Sequence, residues 1–165
     1  MIKYLLDLPD PILLSQLCNS QQNVTEAYSV NGNMEIKVIQ TNTENRLIIE
    51  SLFKTDLKID YPITDKEFDD LMEEFGLVLN KVRYNFLPNH YIDVYERPYY
   101  GSKHNLAILN LDIDFDISKL SVISYIANEL EPEINSLIVE EITNNSKYTD
   151  YKLAYLNKIQ KYVKS

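Results

Sequence analysis

The sequence predicts an α+β protein built on an antiparallel sheet. Segments of alternating apolar and polar residues outnumber those with helical spacing, and Asn31-Gly32-Asn33 is a strong hairpin turn between two of them. The strand-helix-strand rhythm of a parallel sheet is missing. With 165 residues, 45% of them hydrophobic and 25% charged, the chain fits a single domain, 1–165, that can bury a core, and it lies outside the disordered and collagen-like classes.

Ile2 to Leu6 reads as a short strand ended by Asp7-Leu8-Pro9. Asp10 followed by Pro11 starts a helix that runs to about Asn19, with a capping carboxylate before a proline at the first helical position. Val24 to Val30 and the alternating stretch beginning at Met34 form the hairpin around Gly32. Arg46 to Phe53 and Leu57 to Tyr61 give two further strands. Thr64-Asp65-Lys66-Glu67 is a capping box, and Phe68, Leu71, Met72 and Phe75 follow at helical spacing, with Gly76 to close the helix. Asn80 to Leu87, a turn at Pro88-Asn89 and Tyr91 to Glu96 read as a second hairpin. A strand over Leu106 to Phe115 and a helix from Ser118 carrying Leu120, Ile123, Ala127 and Leu130 come next. Val139 to Thr143 is the last strand, and a helix from about Thr149 places Leu153, Leu156, Ile159 and Val163 on one stripe.

Composition excludes several functions. A net charge of −9 disfavours nucleic acid, whose backbone is held by clustered lysine and arginine. Only 3 glycines are present, and neither phosphate-cradling glycine motif occurs. Cys18 is the only cysteine and lies in an apolar helical stretch, which points to a core thiol in a reducing compartment. No segment is long and apolar enough to span a membrane, and the opening residues do not read as a signal peptide, so the expected location is cytoplasmic. His90 and His104 stand alone, without a second histidine or cysteine at metal spacing, and are expected on the solvated surface. No nucleophile, base and orienting acid are legible together.

Strand alternation groups Lys3, Glu35, Lys37, Lys81, Arg83, Asp93, Asn110, Asp112 and Glu141 on one side. Ile36, Val38, Val82, Tyr84, Ile92, Val94 and Leu111 fall on the other. The polar side either faces water, with helices covering the apolar side, or lines the inside of a curled sheet. In the plainer case Lys81 and Arg83 pair with Asp93 and Asp112 across neighbouring strands.

The order Lys81-Val82-Arg83-Tyr84, an Asp93 strand, Asn110-Leu111-Asp112, then Glu141-Ile142-Thr143 with Tyr148 close behind resembles the CYTH superfamily, the triphosphate tunnel metalloenzymes. The resemblance is carried from about Thr64 to Leu153. It implies an eight-stranded antiparallel tunnel-like β-barrel with helices outside. It also implies a triphosphate or other polyanionic small molecule held by Lys3, Lys37, Lys81 and Arg83, and Mg²⁺ or Mn²⁺ held by Asp112 and Glu141. The first half departs from the pattern. Lys3-Tyr4-Leu5-Leu6 matches the end of the family's opening motif, but Met1 stands where its second glutamate belongs. Glu35-Ile36-Lys37 puts an acid where the family has a cation, and Ile48-Ile49-Glu50 and Asp56-Leu57-Lys58-Ile59-Asp60 have lost or inverted charge. Phosphoryl transfer depends on positioning and charge stabilisation, so acids in the cradle strike its dominant contribution. The expected function is therefore a divergent relative without ordinary triphosphatase activity, a binding or interaction module for a phosphorylated small molecule or a protein. The alternative is an active metal-dependent triphosphatase, or an adenylate cyclase of the same class.

Overall fold

A computed structural model describes residues 1–53, 57–86, 90–112, 124, 128 and 130–163, the last four through their backbone only. Its strands are β1 (Ile2–Leu6), β2 (Ser20–Asn31), β3 (Met34–Gln40), β4 (Asn45–Ser51), β5 (Lys58–Pro62), β6 (Leu77–Phe86), β7 (His90–Tyr95), β8 (Ala107–Leu111) and β9 (Ile138–Glu141). The helices are α1 (Pro11–Leu17), α2 (Asp65–Phe75), α3 (Pro132–Asn135) and α4 (Asp150–Val163), with a single 3₁₀ turn at Ser146–Tyr148. The turn at Pro88-Asn89, the strand beyond Asp112 and most of the helix expected from Ser118 lie outside the described residues.

The strands of the described residues form one sheet of nine, in the order β5-β4-β3-β2-β6-β7-β8-β1-β9. This confirms the α+β class with a large antiparallel sheet. It corrects the strand count, and the sheet is not closed: β5 and β9 end it, with no ladder joining them among the described residues. The chain divides into two compact units, Met1–Gln22 with Val82–Asn145 and Asn23–Lys81 with Ser146–Ser165.

In the first unit, β1 alternates so that Ile2, Tyr4 and Leu6 face a core shared with Leu109 and Leu111 of β8, Leu14 of α1 and Ile134 of α3. The register Tyr4↔Leu109 and Lys3↔Asn110 leaves Lys3 and Asn110 on the opposite face. The α1 cap forms as the sequence requires, the Ile12 N–H donating to Asp10 Oδ1 at 2.9 Å.

In the second unit, Ala27 of β2 and Val38 of β3 pack on Phe68 of α2, with Leu71, Met72 and Phe75 completing the stripe. Burying Phe68 contributes about 1.5–3 kcal/mol. The helix is fixed at its start by a reciprocal capping box, Glu67 N–H to Thr64 Oγ1 at 3.1 Å and Thr64 N–H to Glu67 Oε1 at 3.0 Å. It stops at Gly76, whose φ of 70° is the left-handed conformation that glycine adopts without strain.

Candidate functional site

Directly opposed residues of an antiparallel pair project to the same face, so the ladders state which charges keep company. In the second unit the rows are Glu26↔Ile39↔Arg46, Tyr28↔Lys37↔Ile48↔Asp60 and Val30↔Glu35↔Glu50↔Lys58. All of these lie on the face away from Ala27 and Val38. The acids Glu35, Glu50 and Asp60 therefore share the face of Lys37 and Lys58, and Glu50 and Asp60 meet cations there. Arg46 Nε lies 2.6 Å from Asp60 Oδ1, and Lys58 Nζ lies 3.6 Å from Glu50 Oε1.

The same face carries a buried charged cluster. Lys81 Nζ lies 3.2 Å from Glu26 Oε1 and 2.9 Å from Asp150 Oδ2, with the lysine side chain 1% exposed, Glu26 2% and Asp150 23%. The Tyr28 hydroxyl donates to the other Glu26 oxygen. Burial, and then the negative charge of Asp150 and Glu26, pushes the Tyr28 phenol well above its ordinary range, so it stays a donor. Asp150 sits in the first turn of α4, and Tyr151 beside it packs edge-on against Tyr28, ring centroids 6.2 Å apart. Lys37 Nζ stands over the Tyr28 ring at 5.9 Å. Glu35 is raised by burial, against which Lys37 acts, while Glu50 raises it further.

In the first unit Arg83 makes a bidentate pair with buried Asp93, Nε to Oδ1 at 2.8 Å and Nη2 to Oδ2 at 3.0 Å, and its guanidinium lies 4.0 Å from the Tyr91 ring centroid. The partner of Arg83 is the one expected in the plainer sequence reading. Lys81 instead pairs with Glu26 and Asp150. Lys3 is half-buried, and its backbone N–H donates to Thr143 Oγ1 at 3.1 Å. Asp112 is exposed just past the end of β8, and buried Asn110 donates to the Ile108 carbonyl at 3.2 Å. Glu141 is exposed and pairs in register with Tyr4, on the face away from Lys3, where its Oε1 accepts from Thr143 Oγ1 at 2.8 Å. His90 is a correction: it is buried in β7 and stacked on Phe86 at 5.3 Å, because β7 starts one residue before the expected strand. His104 is exposed as expected.

The described residues do not bring together a set that fits a divalent cation. Octahedral Mg²⁺ needs convergent oxygens with free lone pairs, whereas Asp112 lies just past the end of β8 and Glu141 pairs with Tyr4 at the end of β9. Glu26 and Asp93 are already occupied by cations. Among the described residues no group of three candidate metal ligands comes together. Sequence reasoning missed Glu26, Tyr28 and Asp150. The signal was Glu26 itself, a carboxylate between Val24 and Tyr28 on the alternating face of a strand, which a buried partner had to compensate.

No protein-family model and no curated protein matches the chain. Among solved structures it is similar to the inorganic triphosphatase NE1496, with TM-score 0.58 and 19% identity over 93% of this chain and 91% of that one. A second structure of NE1496, described as a hypothetical protein, gives 0.59 and 19% over 93% and 95%. The PH1819 protein of Pyrococcus horikoshii OT3 gives 0.50 and 13% over 94% and 98%. The class is thus a large antiparallel sheet with helices, one of its faces charged. More particularly, its fold is CYTH-like, similar to that of NE1496.

Proposed function

We propose that the protein is a non-hydrolytic binding or interaction module on a CYTH-like sheet, its lining charges neutralised from within. The observation that carries this reading is Lys81, clamped at 1% exposure between Glu26 and Asp150. A tripolyphosphate carrying about four negative charges needs a surplus of free cations to offset its desolvation. Among the described residues, the second unit's charged face offers Lys37, Arg46, Lys58 and Lys81 against Glu26, Glu35, Glu50, Asp60 and Asp150, so it holds no surplus. A ligand suited to it is a phosphorylated small molecule of low charge or a protein surface, not a metal-bound polyanion.

The similarity to the inorganic triphosphatase NE1496 favours a second reading, in which Lys3 and Lys37 join Lys81 and Arg83 on a triphosphate with Mg²⁺ or Mn²⁺. Incubation with tripolyphosphate, thiamine triphosphate and ATP, each with Mg²⁺ or Mn²⁺, separates the two. The module releases no phosphate and makes no cyclic nucleotide, whereas release that disappears in Arg83→Ala establishes the enzyme.

A further inference from the structure

We propose that β5 is a self-pairing edge through which two copies of the chain join in a two-fold antiparallel ladder centred on Ile59. Among the described residues β5 is the last strand of the sheet, and all five of its residues are exposed. An unpaired edge of this kind offers a row of free N–H and C=O groups to another strand. Which groups face outward follows from the contacts with β4. The Leu57 carbonyl accepts from Ser51 N–H at 3.1 Å and Ile63 N–H donates to the Asn45 carbonyl at 3.0 Å, so odd-numbered residues bond inward and Lys58 and Asp60 turn their backbone groups out.

Those two residues select the register. Pairing about Ile59 sets Lys58 against Asp60 of the second copy and Asp60 against its Lys58, and each pair exchanges two backbone bonds, about four in all. Shifting the centre by one residue either way sets Lys58 against Lys58 or Asp60 against Asp60, which like-charge repulsion opposes. Pro62, with no N–H, limits extension beyond this short ladder. The charges also continue patterns inside each copy: Glu50 meets Lys58 at 3.6 Å and Arg46 meets Asp60 at 2.6 Å. Across the two-fold axis the ion pair Glu50–Lys58 of one copy would stand next to the ion pair Asp60–Arg46 of the other, with signs alternating. On the other face Ile59 meets its own copy and Leu57 meets Tyr61, residues that are 54%, 51% and 47% exposed in the single chain. This isologous contact commits the surface to a second copy of the chain, whether or not triphosphate is hydrolysed.

Sedimentation of the full chain over a range of concentrations tests the dimer. The expected result is a concentration-dependent dimer whose dissociation constant rises about tenfold or more in Ile59→Lys, which sets two lysines face to face at an exposed position. Cysteine cross-linking, on a Cys18→Ser background, tests the register independently of that variant. Ile59 occupies a non-hydrogen-bonded pair, where opposed Cα atoms lie about 4.5 Å apart, within disulfide range. Ile59→Cys should oxidise to a covalent dimer, while Leu57→Cys should cross-link with Tyr61→Cys and not with itself. A monomer at every concentration, a dimer unaffected by Ile59→Lys, or self-linking of Leu57→Cys as fast as Ile59→Cys overturns the proposal.

Discussion

Replacing Lys81 by methionine removes the positive centre of the buried cluster while keeping most of the side-chain volume. At 3.2 Å from Glu26 the lysine gains about 5 kcal/mol of Coulomb attraction at an effective dielectric constant near 20. Desolvating two charges costs several kcal/mol each and offsets most of that gain, so the intact cluster adds little net stability. Breaking it is different. Among the described residues Glu26, 2% exposed, would be left with the Tyr28 hydroxyl alone to meet it, and breaking a buried ion pair by removing one partner costs about 3–5 kcal/mol. Asp150 adds less to the loss because it is 23% exposed and water can solvate it. Lys81→Met is therefore expected to lower the unfolding free energy by about 3–5 kcal/mol near pH 7. Glu26→Gln combined with Lys81→Met should recover most of the loss, since the uncharged amide that replaces the carboxylate still accepts from the Tyr28 hydroxyl. Urea unfolding followed by circular dichroism, with the slope held common, measures both. A loss under about 1 kcal/mol for Lys81→Met, or losses that simply add in the double variant, would show that Glu26 does not depend on Lys81.

Glu35→Gln should stabilise the protein at neutral pH, because burial raises the Glu35 carboxyl above its ordinary value. The sign follows from linkage: a carboxyl raised in the folded state destabilises it above the folded pKa, and the cost is relieved as pH falls through that pKa. The gain from Glu35→Gln should fade on acidification over that window, and a gain that ignores pH contradicts the assignment. Thr64→Ala removes the Glu67 N–H acceptor at the start of α2 and should cost about 1 kcal/mol in urea unfolding, with Thr64→Ser recovering most of it. Equal losses for both variants would show that the methyl group, not the cap, matters.

Local chemistry made the helix starts and the first hairpin legible. Asp10-Pro11, Thr64 to Glu67, Asn31-Gly32-Asn33 and Gly76 each satisfy backbone groups within a few residues, so no distant partner is needed to read them. Alternation likewise placed Lys3, Lys81 and Arg83 opposite the apolar face. Two kinds of information were beyond reach. Ladder order sets which charges meet, and nothing near Lys81 in the chain names Glu26, 55 positions earlier, or Asp150, 69 positions later. Register at a strand end is hidden in the same way: Glu141 pairs with Tyr4 and falls on its side rather than that of Lys3. Closure of the sheet depends on its edge strands, and the exposed charges of β5 carry no signal of a partner strand within the chain.

If acids of the chain itself are the partners of Lys81 and Arg83, triphosphate has no place on them. Thermal unfolding with saturating tripolyphosphate and Mg²⁺ or Mn²⁺ tests this most directly, because a ligand bound only by the folded state must raise the midpoint. The expected result is a midpoint unchanged from that with metal chloride alone and no release of phosphate in the same samples. A rise of several degrees, lost in Lys37→Ala and Arg83→Ala, would contradict it and return the protein to the triphosphate-binding enzymes.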